Sequence, residues 1–434
     1  MANSMVGTLR NAWKAEELRK RLLYTIFIIV LFRVGSHIPV PGIDRYAFTN
    51  LIRNFGQLGQ MMDIISGGAL TSVSIFALGV QPYINASIIL QLLTVAIPAL
   101  ENMAKEGETG RKKIQKITRY TMVGLAVLQS FAFWYSTRVA GTSRIPTALT
   151  AIMVIFSFTA GTCLVTWMGE QINDKGIGNG ISVLIFVGIV SRMPHMLQNL
   201  WLTVRGWNVN KWGPFLATLF LILFVAAALA LLVFVIFVQS GERRIPVQYS
   251  RRVVGRKQYG GQNTYLPIKV NQSGVLPVIF AMSISQVPAI IISFFFPTST
   301  GPVVSFFRNL GKNPLYYIIM AFLILGFTFF YSMIQFNPIE ISNNLQKNGG
   351  YIPGIRPGRP TAEFISKTAG RLNWFDALFL IIVTLTPMLI GTLTDTSAIW
   401  MGGTSVIIIV GVVKDLVTQL DSQMMMKHYK GFLS

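Results

Sequence analysis

The sequence predicts an all-α membrane protein of about ten transmembrane helices, arranged as two five-helix halves of opposite orientation. Three observations predict it. The 434 residues are 52% hydrophobic and only 12% charged, with a mean hydropathy of +0.55, whereas soluble domains carry about 25% charged residues. The 25 residues Pro214 to Val238 hold Thr218 as their only polar side chain, more than the ~20 needed to cross a bilayer. Basic residues gather between the apolar segments on one side of the chain.

Ten apolar stretches stand out: 21–38, 71–99, 117–137, 148–170, 180–192, 214–238, 274–296, 314–335, 374–394 and 398–417. Helices are the expected spanning element, because lipid offers no partner to an unpaired amide. The first stretch lacks a small-residue cleavage site and reads as a retained span. With this topology, 27 of the 37 Lys and Arg fall in loops on one face and nine on the other, leaving Arg33 inside the first span. Both termini are therefore expected in the cytosol.

Four spans are less apolar than the rest. The second contains Gln81, Pro82, Asn85 and Gln91, and the fifth has about a dozen apolar residues before Arg192. The seventh carries Ser283, Ser285, Gln286 and Pro288, while the tenth opens on Gly402-Gly403-Thr404-Ser405. These are positions two and five of each set of five, which predicts a pseudo-symmetric repeat with halves at 1–205 and 206–434. An odd number of helices per half inverts one half relative to the other. Polar groups within spans pair across helices or face a cavity; four in matching positions favour an aqueous path.

Several function classes are disfavoured. Cys163 is the only cysteine, and His37, His195 and His428 lie far apart, so neither a disulfide nor a metal site is expected. None of the 16 carboxylates falls at mid-span, which argues against a proton-coupled solute carrier. Gly311-Lys312 and Gly176 to Gly180 both lack the context of a nucleotide site. No cofactor or small-molecule substrate is expected, and energy must come from a partner. An uncharged-solute carrier and a pore-free insertase remain alternatives.

Two loops on the basic face exceed what topology needs. Loop 239–273 interleaves seven Lys or Arg with Tyr249, Tyr259 and Tyr265, and loop 336–373 carries five more around Gly354-Ile355-Arg356-Pro357-Gly358. Such surfaces suit a large cytosolic partner.

The runs Ile38-Pro39-Val40-Pro41-Gly42, Ser66-Gly67-Gly68-Ala69-Leu70, Gln91-Leu92-Leu93-Thr94, Lys105 to Lys113, Gly176 to Gly180, Phe336-Asn337-Pro338 and Pro353 to Gly358 resemble those of bacterial SecY proteins, the channel subunits of the protein translocon. The resemblance runs the whole chain in order. It implies a channel, not an enzyme, in the bacterial cytoplasmic membrane, passing unfolded preproteins and signal sequences and releasing membrane segments into the lipid bilayer. The implied partners are the SecE and SecG subunits, the SecA ATPase and the ribosome. By the same resemblance, 58–70 is a plug, with Met61, Met62, Ile64 and Ile65, and the pore ring is Val80, Ile84, Ile181, Ile185, Ile279 and Ile408. A lateral gate between spans two and seven would involve Asn85, Gln129, Asn271 and Ser285. Arg243, Arg244, Arg256, Lys257 and Arg356 would form the motor and ribosome docking face. An aliphatic ring suits a gasket, since it resists wetting yet parts around a chain of any sequence.

Overall fold

A computed structural model of the chain describes residues 15–46, 66–139, 147–210, 214–249, 263–295, 313–393 and 402–430, with Trp13, 48–49, Asp63, 252–254, 257–259, Gly301 and Phe306. In chain order the elements are α1 Glu16–Gly35, α2 Gln81–Ala96, α3 Pro98–Lys105, α4 Glu108–Val139, α5 Thr147–Lys175, α6 Gly180–Asn210 and α7 Pro214–Ser240. Strands β1 Glu242–Tyr249, β2 Arg252–Val254, β3 Lys257–Tyr259 and β4 Asn263–Lys269 follow. Then come α8 Leu276–Phe295, α9 Pro314–Gln335, α10 Pro338–Lys347, β5 Gly350–Tyr351, α11 Arg359–Leu393 and α12 Gly402–Lys430.

Each expected span contains a helix. Among the described residues six helices are individually long and apolar enough to cross a bilayer, and the pair α2/α3, bent by 101°, makes a seventh. The remaining expected spans lie in α1, α4 and α8, where charged turns or a shorter apolar run of Leu276–Ser285 keep them below that standard. Among the described residues the spanning structure is all-helical.

Three details differ from the hydropathy reading. The second span does not run unbroken over 71–99: residues 66–80 are turns, and the helix begins at Gln81 with Pro82 in its first turn. Its cytosolic end folds over at Ile97, which is extended (φ −112°, ψ 113°) ahead of Pro98, as the residue before a proline prefers. The fifth span does not end near Arg192 but continues as α6 to Asn210, with Pro194 inside it. Loop 239–273 contains an antiparallel hairpin. Its alternation of Ile245 and Val247 with exposed Arg244 and Pro246 is a period-two signal that the charge count obscured.

The chain forms two compact units, Met1–Thr203 with Ser283–Pro314 and Ile408–Ser434, and Val204–Met282 with Leu315–Ile407. In the first, α4 packs on both α2 and α5, and α5 packs on α1. Val40, Phe48, Leu70, Val73, Ala77, Leu78, Phe133, Val154 and Phe158 form one core beneath the turns of 66–80. Pro39 and Ser74 form an isolated antiparallel bridge, Val40 N–H donating to the Val73 carbonyl (2.8 Å) and Ile75 N–H to that of Ile38 (3.0 Å). At the cytosolic corner, Thr25 Oγ1 accepts from Ile177 N–H, Gln419 Oε1 from Gly178 N–H and Asn173 Oδ1 from Gly180 N–H. The glycine-rich turn therefore ties α1, α5 and α12 together around Leu18, Ile177 and Leu420.

In the second unit, β4, β1 and β5 form one sheet in that order, with Ile245 opposite Leu266 and Gln248 opposite Tyr351. Its inner face buries Ile245, Val247 and Ile268 against Leu345, Ile352 and Ile365. Within the membrane, Phe234 lies 5.6 Å from Phe379, and Phe280 meets Phe327 and Tyr331 edge-on at 5.8 and 6.2 Å.

The turns of 66–80 rest so closely on α5 that a Cβ on Gly161 would collide with the Ile75 carbonyl. Backbone cannot give way as a side chain does, so Gly161→Ala is expected to lower stability by about 1–3 kcal/mol. Thermal unfolding in detergent checks this; an unchanged midpoint would contradict the close approach.

Candidate functional site

The aliphatic residues expected to form the constriction lie early in their helices. Val80 caps α2 and is 2% exposed, and Ile84 is half-buried in the first turn. Ile181 and Ile185 occupy the first two turns of α6, Ile185 being buried and Ile181 set close to α5, where a Cβ on Gly169 would stand 2.7 Å from Ile181 Cδ1. Ile408 is buried in α12. All five belong to the first unit, whereas Ile279, half-buried in α8, belongs to the second.

Met61, Met62, Ile64 and Ile65 lie outside the described residues. The end of the same segment is described and is fastened in place. Asp63 organises the turn: its carbonyl accepts from Gly68 N–H (2.8 Å) and Ser66 Oγ (3.0 Å), and its Oδ1 from Thr71 N–H (2.8 Å). Asp63 also pairs with Arg192 of α6 through Nη2, the nitrogen that also donates to Thr71 Oγ1 at 2.7 Å. Arg33 of α1 donates to the Gly67 carbonyl (3.1 Å) and to Ser191 Oγ (3.0 Å).

Two glycines make that contact sterically feasible. Gly67 and Gly68 have φ of +67° and +89°, and a Cβ on them would stand 2.9 Å from Gly188 Cα and 2.8 Å from Arg192 Nε. Only a residue without a side chain accepts both the left-handed backbone and the approach of α6. Counting charges by loop placed Arg192 at a span exit and left Arg33 without a role. The signal available was that an arginine within an apolar stretch requires partners.

The polar residues expected at a lateral gate are distributed over the two units. Asn85 is half-buried in α2, and Gln129 is half-buried in α4, its Oε1 shielded from solvent. Ser285 is buried in α8 within the first unit. Asn271 is buried just ahead of α8 in the second unit, where its Oδ1 accepts from Gly274 N–H at 2.6 Å.

The two long basic loops converge on one sheet, which hydropathy did not foresee. Strand pairing of β1 with β5 places Arg243 and Arg244 and the Arg356 turn on the same small cytosolic domain, all three exposed. The turn is held from beneath. Ile352 is buried, Ile355 packs on the same cluster, the Arg356 carbonyl accepts from Thr361 Oγ1 (2.8 Å) and the Gly358 carbonyl from Ser342 Oγ (2.7 Å). Lys257 lies on β3, and Arg256 is outside the described residues.

Removing Arg192 leaves Asp63 without its cation in a largely apolar setting. Arg192→Ala is expected to lower stability by about 2–3 kcal/mol, with part of the loss recovered by adding Asp63→Asn. A thermal double-mutant cycle in detergent measures the coupling, and additive losses would contradict the pair.

A SecY family model matches residues 74–417. The protein translocase subunit SecY of Streptomyces scabiei is 42% identical over 99% of this chain and 100% of that protein. A solved protein-conducting channel superposes with a TM-score of 0.61 at 18% identity, covering 94% of this chain and 92% of its own. Sec61 from a canine ribosome–channel complex of the endoplasmic reticulum gives 0.56 at 16% identity, again covering 94% and 92%. With a match of this length to the family and full-length identity above 40%, the chain belongs to the SecY family.

Proposed function

We propose that this chain forms the polypeptide-conducting path of a protein translocase in the bacterial cytoplasmic membrane, passing unfolded chains outward and releasing apolar segments sideways into lipid. The observation that carries this reading is the full-length relation to a translocase subunit. It is a channel subunit and not an enzyme, so ATP hydrolysis belongs to a separate motor, SecA, with SecE and SecG as membrane partners and the ribosome as an alternative cytosolic one. The two inverted halves, 1–205 and 206–434, are the units of that channel.

The chemistry suits the task. Val80, Ile84, Ile181, Ile185, Ile279 and Ile408 form a constriction without charge or hydrogen-bonding groups, so it makes no sequence-specific contact and dewets when empty. Segment 58–70, including Met61, Met62, Ile64 and Ile65, is the plug; its described end is fastened by Asp63, Arg192 and Arg33. Asn85, Gln129, Asn271 and Ser285 bias the seam between α2 and α8, each hydrogen bond contributing about 0.6–2 kcal/mol in a membrane. Arg243, Arg244, Arg256, Lys257 and Arg356 dock the motor or ribosome, and the exposed Arg356 turn braced by Ile352 suits a contact that must carry force.

Replacing Ile84, Ile185 and Ile279 together by Ser should raise resting ion conductance across a planar bilayer by about tenfold or more, since polar groups wet a constriction. Unchanged conductance would remove these residues from the ring. Saturable uptake of a small solute, with no motor-dependent precursor transport, would favour the carrier alternative.

Arg356→Glu is expected to reduce SecA-driven precursor transport by about tenfold or more while leaving thermal stability within about 0.5 kcal/mol, because the side chain is exposed and makes no core contact. Transport at the wild-type rate by this variant would refute the docking assignment.

A further inference from the structure

The turn that leads into α8 is anchored by a buried carboxylate from another helix. Asp376, in α11, is fully buried, and its Oδ2 accepts from Ser273 Oγ at 2.7 Å and Ser273 N–H at 3.3 Å. Beside it Gln272 Oε1 accepts from Ser332 Oγ of α9 (3.2 Å), and Asn271 Oδ1 from Gly274 N–H. Buried contacts follow in the first turns of α8: Val278, Phe280, Ala281 and Met282 are buried, with Phe280 edge-on to Phe327 and Tyr331 of α9. All of these groups lie in one compact unit. The chain passes to the other unit between Met282 and Ser283, and Pro288 follows within the helix.

An aspartate so placed is costly. Burial of a carboxyl group demands hydrogen-bond donors, and here they are the hydroxyl and amide of Ser273 together with the Gln272 backbone amide, all in the turn that leads into α8. The second oxygen, Oδ1, has no hydrogen-bond partner among the described residues, so the carboxyl group serves the 272–273 turn. The root of α8 is anchored, and Pro288 has no amide to donate to the Ile284 carbonyl, so the helix has a place to bend between its root and Pro288.

We propose that Asp376 is a positioning residue for lateral release: it pins the cytosolic root of α8 to α11, so that the helix opens by bending between Met282 and Pro288 while its root stays fixed. The proposal rests on reading α8 as a gate helix. Loosening the root lets the helix move as a whole and lowers the apolarity that a segment needs in order to leave the channel.

Two readouts on the full-length chain, assembled with its partner subunits in proteoliposomes, test it. In Asp376→Ala, amide exchange over Ser273 to Ile279 should rise about tenfold, as expected for loss of a hydrogen bond to a charged acceptor. With model segments of graded leucine content, the release threshold should fall by about two leucines. Asp376→Asn keeps an acceptor for Ser273 Oγ and should leave both readouts near wild type. Ser273→Ala removes only the hydroxyl, is expected to fold, and should move both in the same direction by a smaller step, so it decides the matter if Asp376→Ala is not recovered folded. Unchanged exchange overturns the anchor; raised exchange with an unmoved threshold overturns its part in release, because a merely structural role would reduce folded yield without shifting the threshold. If wild type releases no segment at any leucine content, the channel reading fails instead, while the exchange result still judges the anchor.

Discussion

Unpaired backbone amides are the cost that governs this molecule. In hydrocarbon each would lose hydrogen bonding worth several kcal/mol, so the described apolar stretches are mostly helical and their irregular backbone is confined to places where protein supplies the partners. The turns of 66–80 illustrate the condition. They lie where hydropathy alone extends the second span, yet their amides are met by neighbouring carbonyls and by the side chains of Asp63, Ser66 and Ser74. The same segment buries Leu70, Val73, Ala77 and Leu78, so it is stabilised as core even though it is not a helix.

Charge within the apolar region follows a related rule. Arg33 and Arg192 would each be prohibitive if exposed to lipid, and both are turned onto one short stretch of chain whose carbonyl, hydroxyl and carboxylate groups receive them. Asp376 repeats the pattern with opposite sign, supplied by Ser273. These ionisable groups thus reach from a helix to a turn, fixing the point at which irregular chain becomes regular. Such pairs specify geometry more than they add stability.

Outside the membrane, the architecture changes from helix to sheet because water again competes for amides and amphipathic alternation becomes sufficient. Strands β1, β4 and β5 bury one apolar face and expose arginines on a rigid support. Two loops distant in the chain become one basic surface, and that convergence gives the cytosolic face its character.

The sequence by itself determined the membrane class, the number and order of spans and the basic side, because hydropathy and the distribution of Lys and Arg are local quantities summed over windows. Whole-chain resemblance also led to the proposal of an aliphatic ring and of a docking role for Arg356. Only the tertiary structure decided that α2 begins at Gln81, that Arg192 lies mid-helix beside Asp63, that Gly161 faces a carbonyl and that Asp376 holds Ser273. Each of these depends on two segments far apart in the chain, 129 residues in the case of Asp63 and Arg192 and 103 in the case of Ser273 and Asp376. No window of hydropathy registers such a pairing; the energy that makes a polar group acceptable in lipid resides in its distant partner.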